Sequence, residues 1–493
     1  MFKNIQKQLL LKHPLLWNTR FIPMIILGLF INLVYFFIGY ADGTINFEER
    51  YGSDIDFTFF SFSFLISLII LILWLVAYLR NNSFKSFYPQ SKNALFYEWI
   101  QTVVICTLLS MFYFTFDYGR ELHKRNYMDE ETAKKRCEII SKADFFIDAG
   151  FDDAEIDSTK SLFKDTIIDG TPKYRDIVYK DYVVIFGKKY SETALINRSI
   201  NGFSFNTVDQ NYLQKLAVRK ILSENNTQEV KKIMQQYLII VKEHGLQTNL
   251  SLDKWFEITY NYPEFSKYEL IMQNSPLDKD RNYNNYYYEQ EYEESIPVIK
   301  KNYSKYFIER STLSHNYEAI ANAYTKPISI EPIILMFYFV FGLSLLIFSF
   351  RVTSGKSWLI ALVGLGIFNA IFGILSAASK GILVYNIMML ISIIIFSIYF
   401  FSVNSSKSGK KYSMIVLNLI LWLLGALIPL CYFIYLDLYK KSIVHLENYY
   451  HDSHYQFLKD TIPYMLGINI IVVLIAMFLI SKQIRNWKGI SEE

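Results

Sequence analysis

The densest group of metal-competent side chains in this 493-residue chain is His445, Glu447, His451, Asp452 and His454. Imidazoles and carboxylates suit divalent ions of intermediate softness. On a helix, His451 and His454 share one face. The same stretch is polar and amphipathic, as a solvated or headgroup-facing helix also needs to be. A metal reading therefore names His445, His451 and His454, while the simpler reading assigns no metal. Ser354-Gly355-Lys356-Ser357 ends like a phosphate-binding loop, but Phe350 stands where that motif needs its first glycine. The fragment also joins two apolar runs rather than a strand to a helix, so ATP energy would have to come from another chain. Cys106, Cys137 and Cys431 lie far apart with no CxxC pair, which removes a zinc knuckle or redox dithiol. No GxSxG, HExxH or GxGxxG stands in a suitable context. The sequence therefore assigns no catalytic residue and no cofactor.

The elements that must position these residues are mostly apolar runs. Hydrophobic residues make up 52% and charged residues 19%, below the quarter or so usual in soluble domains. Disordered, collagenous and disulfide-framework classes are excluded. Fifty basic and 46 acidic side chains, without a concentrated basic stripe, exclude nucleic-acid binding. Mean hydropathy is only +0.17, an average that hides two materials. Eight runs reach the roughly 20 residues a bilayer requires, near 21–40, 58–79, 98–117, 330–350, 357–377, 382–403, 413–436 and 462–481. Each should be helical, because the bilayer core offers backbone groups no water. Most of the charge lies in 118–329. The expected fold is an α-helical polytopic membrane protein of about eight transmembrane helices, with a large extracytoplasmic α+β domain between the third and fourth spans. Its parts are 1–117, 118–329 and 330–493.

Orientation follows from the loops. Lys3, Lys7, Lys12 and Arg20 precede the first span; Arg80, Lys85 and Lys92 follow the second; Arg351 and Lys356 follow the fourth. Lys407, Lys410 and Lys411 follow the sixth, and Lys482, Arg485 and Lys488 the eighth. The loop after the first span holds Asp42, Glu48, Glu49, Asp54 and Asp56 against Arg50 alone. The positive-inside rule then places both termini in the cytoplasm and 118–329 outside an inner (plasma) membrane. The first span is too long for a signal-peptide core and reads as a retained anchor.

Within the spans, Glu98, Asp117, Glu331 and Asp437 sit at ends, where water or headgroups should reach them. The lack of a central carboxylate argues against a proton-coupled carrier. Asn32, Asn369, Asn386, Asn418 and Asn469 are expected to bond neighbouring helices rather than a substrate. Gly366, Ala370, Gly373 and Ala377 form a narrow face suited to close helix contact. Pro429 should kink the seventh span and free a carbonyl or two.

In the domain, 130–147 shows helical spacing and 174–190 reads as strands around a turn. Residues 208–223 and 227–244 read as helices, with Thr227 as N-cap and Gly245 as the stop. Ser251 would cap another helix, and 299–325 looks helical. Cys137 has no disulfide partner. The Tyr-rich acidic tract 283–294 reads as an exposed loop, with a protein-binding surface as the alternative.

Two features mark the cytoplasmic face. Phe2, Ile5 and Leu9 are spaced for one apolar face of an interfacial helix ahead of Trp17 and Arg20. After the second span, Tyr88, Pro89, Ser91, Lys92 and Phe96 suggest a break and then a short helix entering the third span. This arrangement resembles the membrane subunit of type-two ABC exporters over about the first 120 residues. That family has an elbow helix, then two spans linked onward by a cytoplasmic helix with a Pro-x-Ser-Arg-like stretch, matched here by Pro89-Gln90-Ser91-Lys92. The resemblance implies that residues 88–98 dock a separate cytoplasmic ATPase subunit; a half-permeation path would require a homodimer or heterodimer. The chain departs from the family in having eight spans rather than six, and in placing its large domain after the third span rather than the first. Three readings stand: a permease-like transporter subunit; a non-transporting scaffold or sensor whose outer domain binds a ligand or an extracytoplasmic protein partner; and a membrane enzyme built on His451 and His454.

Overall fold

The structure is a computed structural model. It describes residues 16–17, 19–48, 55–80, 93–147, 162–168, 171–176, 182–185, 188–191, 203–205, 208–260, 270–274, 303–325, 330–379, 381–406, 410–445 and 452–486. The chain divides into two compact units: Met1–Gly39 with Ile55–Tyr118 and Ile328–Glu493, and Tyr40–Asp54 with Gly119–Pro327.

Seven helices of the first unit's segments are long and apolar enough to cross a bilayer: Phe21–Asp42, Thr58–Leu79, Ile330–Val352, Gly355–Ala378, Leu383–Ser402, Tyr412–Ile443 and Ile462–Ile484. The expected third span is not one rod. It is the pair Ala94–Ser110 and Phe112–Tyr127, bent by 47°, and counting the pair as one crossing makes eight. The chain is thus a helical, multi-pass membrane protein. The Thr115 hydroxyl, just past the bend, donates towards the Met111 and Phe112 carbonyls, the local competition with the helical ladder that bends helices. Asn32 Oδ1 of the first span, at 3.1 Å, competes for the same hydroxyl proton. Gly39 permits the first span to approach this pair, since a Cβ there would fall 1.9 Å from the Phe116 carbonyl oxygen.

The span faces follow lipid logic. Ile26, Phe30, Leu65, Leu73 and Ile374 are exposed, while Trp74, Trp99, Phe116 and Phe348 are buried. Ile330–Val352 is central, packing on Ala94–Ser110, Lys410–Leu423 and Ile462–Asn486. Four of the five asparagines bond neighbouring helices as expected; buried Asn386 makes no side-chain hydrogen bond among the described residues. Asn32 donates to the Leu108 carbonyl across to the third span (2.7 Å), and Asn418 Oδ1 accepts from Thr353 (3.1 Å). Asn369 accepts from Tyr385. The small-residue face differs from expectation. Ala370, Gly373 and Ala377 are exposed, and a Cβ at Gly366 or Gly373 would meet nothing within 4 Å. Among the described residues, that face receives no helix of this chain.

The second unit has its own core, built on Ile140, Phe145, Met234, Tyr237, Trp255 and Tyr317. Its helices are Glu130–Ala143, Val208–Ser223, Thr227–Glu243, Leu252–Thr259 and Arg310–Thr325, with the end of Phe112–Tyr127. Asp129 and Ser251 cap their helices through Thr132 N and Lys254 N. Thr227 is not the N-cap. Asn226 precedes it with non-helical backbone and its side chain accepts from Glu229 N, so Thr227 is the first helical residue. Gly245 ends that helix at φ +68°, where glycine carries no Cβ penalty. The expected strands around one turn in 174–190 are parts of two hairpins. Thr171–Asp176 pairs back onto Leu162–Ile168, and Tyr182–Ile185 pairs with Lys188–Ser191. The stretch 299–325 is not helical throughout, since Tyr303–Phe307 pairs in parallel with Leu270–Met272 before the helix begins at Arg310. Cys137 is buried and free. The tract 283–294 and the N-terminal stretch with Phe2, Ile5 and Leu9 lie outside the described residues.

Candidate functional site

Proline has no N–H to give the carbonyl four residues before it, and its ring crowds that carbonyl. For Pro429 that carbonyl belongs to Gly425. The span divides there into Lys410–Leu423, a 3-10 turn at Leu424–Ala426, and Leu427–Ile443. In a bilayer the released carbonyl must find a donor inside the protein. Asn469 on the last span supplies it, its Nδ2 donating to the Gly425 carbonyl at 2.7 Å and to Tyr338 Oη at 2.6 Å. Tyr338 Oη in turn donates to the Leu466 carbonyl at 3.3 Å.

Beside this network lies a cavity of about 330 Å³ between Ile330–Val352, the seventh span and the last span. Tyr338, Phe341, Trp422, Pro429, Asn469 and Val473 are among its lining residues, and no acidic or basic side chain lines it. Its volume lies at the small end of ligand pockets, which run from roughly 300 to 1,000 Å³. An apolar wall with a few convergent polar groups is suited to holding an uncharged molecule in one orientation. Pro429 and Asn469 are legible in the sequence as a kink and an interhelical amide. That they serve one another is not, because they come from different spans.

The first unit also holds a buried charge the sequence reading placed at the water's edge. Glu98 is only 2% exposed. Tyr78 Oη donates to its Oε1 at 2.5 Å, and Arg351 Nε lies 3.4 Å from the same oxygen. Glu98 is therefore not bathed by water or headgroups. Three helices converge on it, because a carboxylate withdrawn from solvent needs a cation and donors.

The other sequence-named residues are more scattered. Asp452 caps Ser453–Asp460 by accepting from Tyr455 N, and it also accepts from Tyr439 Oη at 3.1 Å. The His454 ring stands edge-on to Tyr439 at 4.7 Å, and His445 is exposed. His451 and Glu447 lie outside the described residues; among those described, no group of three such side chains could hold a metal. Tyr88, Pro89, Ser91 and Lys92 also lie outside the described residues. Phe96 is half-buried, its ring edge-on to Phe478 at 5.3 Å. In the Ser354–Ser357 fragment, Ser354 caps Gly355–Ala378 through Ser357 N, an ordinary helix start.

The second unit has a polar cluster that sequence reasoning missed. The His244 ring stacks on Phe47 at 3.9 Å, and its Nε2 hydrogen-bonds Tyr317 Oη at 2.8 Å. Arg136 donates to Tyr317 Oη (3.1 Å) and to Glu243 (2.6 Å). Burial, reinforced by the Arg136 charge, pushes the His244 pKa down to about 4. Burial likewise raises that of Tyr317 to about 12. His244 is held neutral in the fold but protonates near 6.5 when unfolded. Its stabilisation is complete above pH 6.5 and is lost as pH falls towards 4. After allowance for a half-buried ring, the loss is roughly 1–2 kcal/mol. Thermal melts between pH 7.5 and 4.5 should show it, and His244→Gln, which keeps a partner for Tyr317 without titrating, should flatten that part of the profile. Nothing in the local sequence links positions 47, 136, 244 and 317, which meet only by tertiary packing.

No protein family, curated protein or solved structure matches this chain.

Proposed function

We propose that this chain is the permease-like membrane subunit of a transporter, energised by a separate cytoplasmic ATPase. The observation that carries this reading is the 3-10 turn ahead of Pro429 in the seventh span, together with the cavity beside it. A carbonyl released from the α-helical ladder within a span must be satisfied inside the protein or face a cavity, and transporters place polar contacts to substrate where a span departs from regular α-helix. Here Gly425 and Ala426 of the 3-10 turn line a cavity of about 330 Å³. The loop basicity supports a cytoplasmic loop 81–92 and an extracytoplasmic second unit. Pro89, Ser91, Lys92 and Phe96 would then face the ATPase, and a second membrane subunit, identical or different, would complete the path. A scaffold or sensor role is the second reading, favoured by the separate core of the second unit and its Phe47–His244–Tyr317–Arg136 cluster.

Isolation of the tagged chain from its native membrane, followed by measurement of ATP hydrolysis, tests the proposal. ATPase activity should co-purify, and Pro89→Ala combined with Lys92→Glu should lower it at least about fivefold, a loss of roughly 1 kcal/mol in docking, while the amount of chain stays constant. A preparation without ATPase activity, or one indifferent to these substitutions, contradicts it.

A further inference from the structure

The polar network beside the cavity is unevenly used. The Gly425 carbonyl can only accept, which fixes which end of the Asn469 amide faces it and makes that end the NH2. Tyr338 spends its proton on the Leu466 carbonyl and so accepts from the same NH2. The Trp422 indole N–H is committed to Ser349 Oγ at 2.8 Å. Asn469 is 1% exposed and its side chain makes only the two Nδ2 bonds, so Oδ1 accepts from none of the described residues. The oxygen faces the cavity rather than being sealed in the protein, and an acceptor without a donor away from bulk water costs about 1–3 kcal/mol. Elsewhere among the spans the corresponding oxygens of Asn32, Asn369 and Asn418 lie within hydrogen-bond reach of the Thr115, Tyr385 and Thr353 hydroxyls, the two threonines sharing their proton with main-chain carbonyls of their own helices. Asn469 is the one of these four that borders the cavity, and its oxygen is the polar group left for an occupant.

From this we infer that the cavity binds an uncharged amphiphile, which donates a hydroxyl or amide hydrogen to Asn469 Oδ1 and lays its apolar part along Phe341, Leu345 and Val473. A cation or anion is disfavoured because no counter-charge lines the space. A pure hydrocarbon would leave the acceptor unpaired. As the substrate class of the transporter this inference rests on the permease reading; as a binding site it stands on the geometry alone.

The test uses the full-length chain in lipid nanodiscs and two photoreactive probes, a diazirine-bearing dodecanol and its methyl ether. These have similar apolar surface, but only the alcohol can donate. Mapping of the photolabel by peptide mass spectrometry should place the alcohol on the segments around 338–345 and 466–473, with the ether at least about tenfold weaker, a gap of 1.4 kcal/mol. Asn469→Leu should bring the alcohol down to the level of the ether. Because that change also unpairs Gly425, a second variant is needed. Gly342 lines the cavity and a Cβ there meets nothing within 4 Å, so Gly342→Leu adds bulk to the space while leaving Asn469 and its bond to Gly425 in place, and should cut alcohol labelling at least about tenfold. Equal labelling by alcohol and ether would reduce the cavity to a lipid-tail site and overturn the inference. So would labelling no stronger than that of the lipid-facing helices, or labelling unchanged in Gly342→Leu. Alcohol-selective labelling in a chain that never associates with an ATPase would retain the site and remove the transporter.

Discussion

Replacing Arg310 with leucine is expected to destabilise the second unit by about 3–5 kcal/mol. Arg310 donates to both oxygens of Asp144, Nε to Oδ1 at 2.6 Å and NH2 to Oδ2 at 2.7 Å. Both side chains are buried, beside Tyr237 and the core of Ile140, Phe145 and Trp255. The Coulomb gain of such a pair is largely cancelled by desolvation, so the pair itself adds little net stability. Removing one partner is costly because the other is left as an uncompensated charge away from water. The two-unit chain is not a two-state folder as a whole, so hydrogen exchange of peptides from 130–147 and 310–325 is the suitable readout. Arg310→Leu should expose them to exchange by local opening. Asp144→Leu with Arg310→Leu should recover most of the protection, since neither charge then remains. Comparable protection in the single variant and wild type would show that water reaches Asp144.

Arg351→Leu should have an effect of similar size in the membrane unit. It leaves Glu98, 2% exposed, with Tyr78 as its remaining close partner among the contacts described above. The expected loss is about 3 kcal/mol or more, read as a lower temperature of aggregation in detergent and a smaller monodisperse fraction on size exclusion. Glu98→Gln combined with Arg351→Leu should restore most of the loss, because a neutral amide can still accept from Tyr78. The coupling between the two sites should reach 0.5–3 kcal/mol, the range found for residues in one network. Additive effects would mean that the charges act independently.

The membrane helices were legible because their signal is local. Twenty apolar residues in sequence are a physical requirement of the bilayer, and each run can be recognised without knowing its neighbours. The cap at Ser251 and the stop at Gly245 are equally local and agree with the structure, and the expected effect of Pro429 takes the form of a 3-10 turn just before it. The failures share a cause. Glu98 stands at the end of its apolar run, but its exposure is decided by Arg351, 253 positions away. The 47° bend of the third span lies inside the apolar run 98–117, where the hydrophobic pattern carries no mark of it. The face of Gly366 and Gly373 has the pattern of a contact surface, but a pattern does not name its partner. The cavity joins Pro429 to Asn469 and Tyr338 across three spans. The His244 cluster unites four segments whose residues carry no shared spacing.

The function proposed for the chain depends on which side of the membrane holds loop 81–92, because an ATPase cannot dock from outside. Single cysteines at Ser91 and Lys220, placed in a Cys431→Ser background, decide this. The native Cys106 and Cys137 are buried, whereas the Lys220 side chain is 71% exposed. With a membrane-impermeant maleimide on intact cells, Lys220→Cys should label at once, and Ser91→Cys only after permeabilisation. Labelling of Ser91→Cys from outside, with Lys220→Cys protected, would invert the topology and contradict the permease reading.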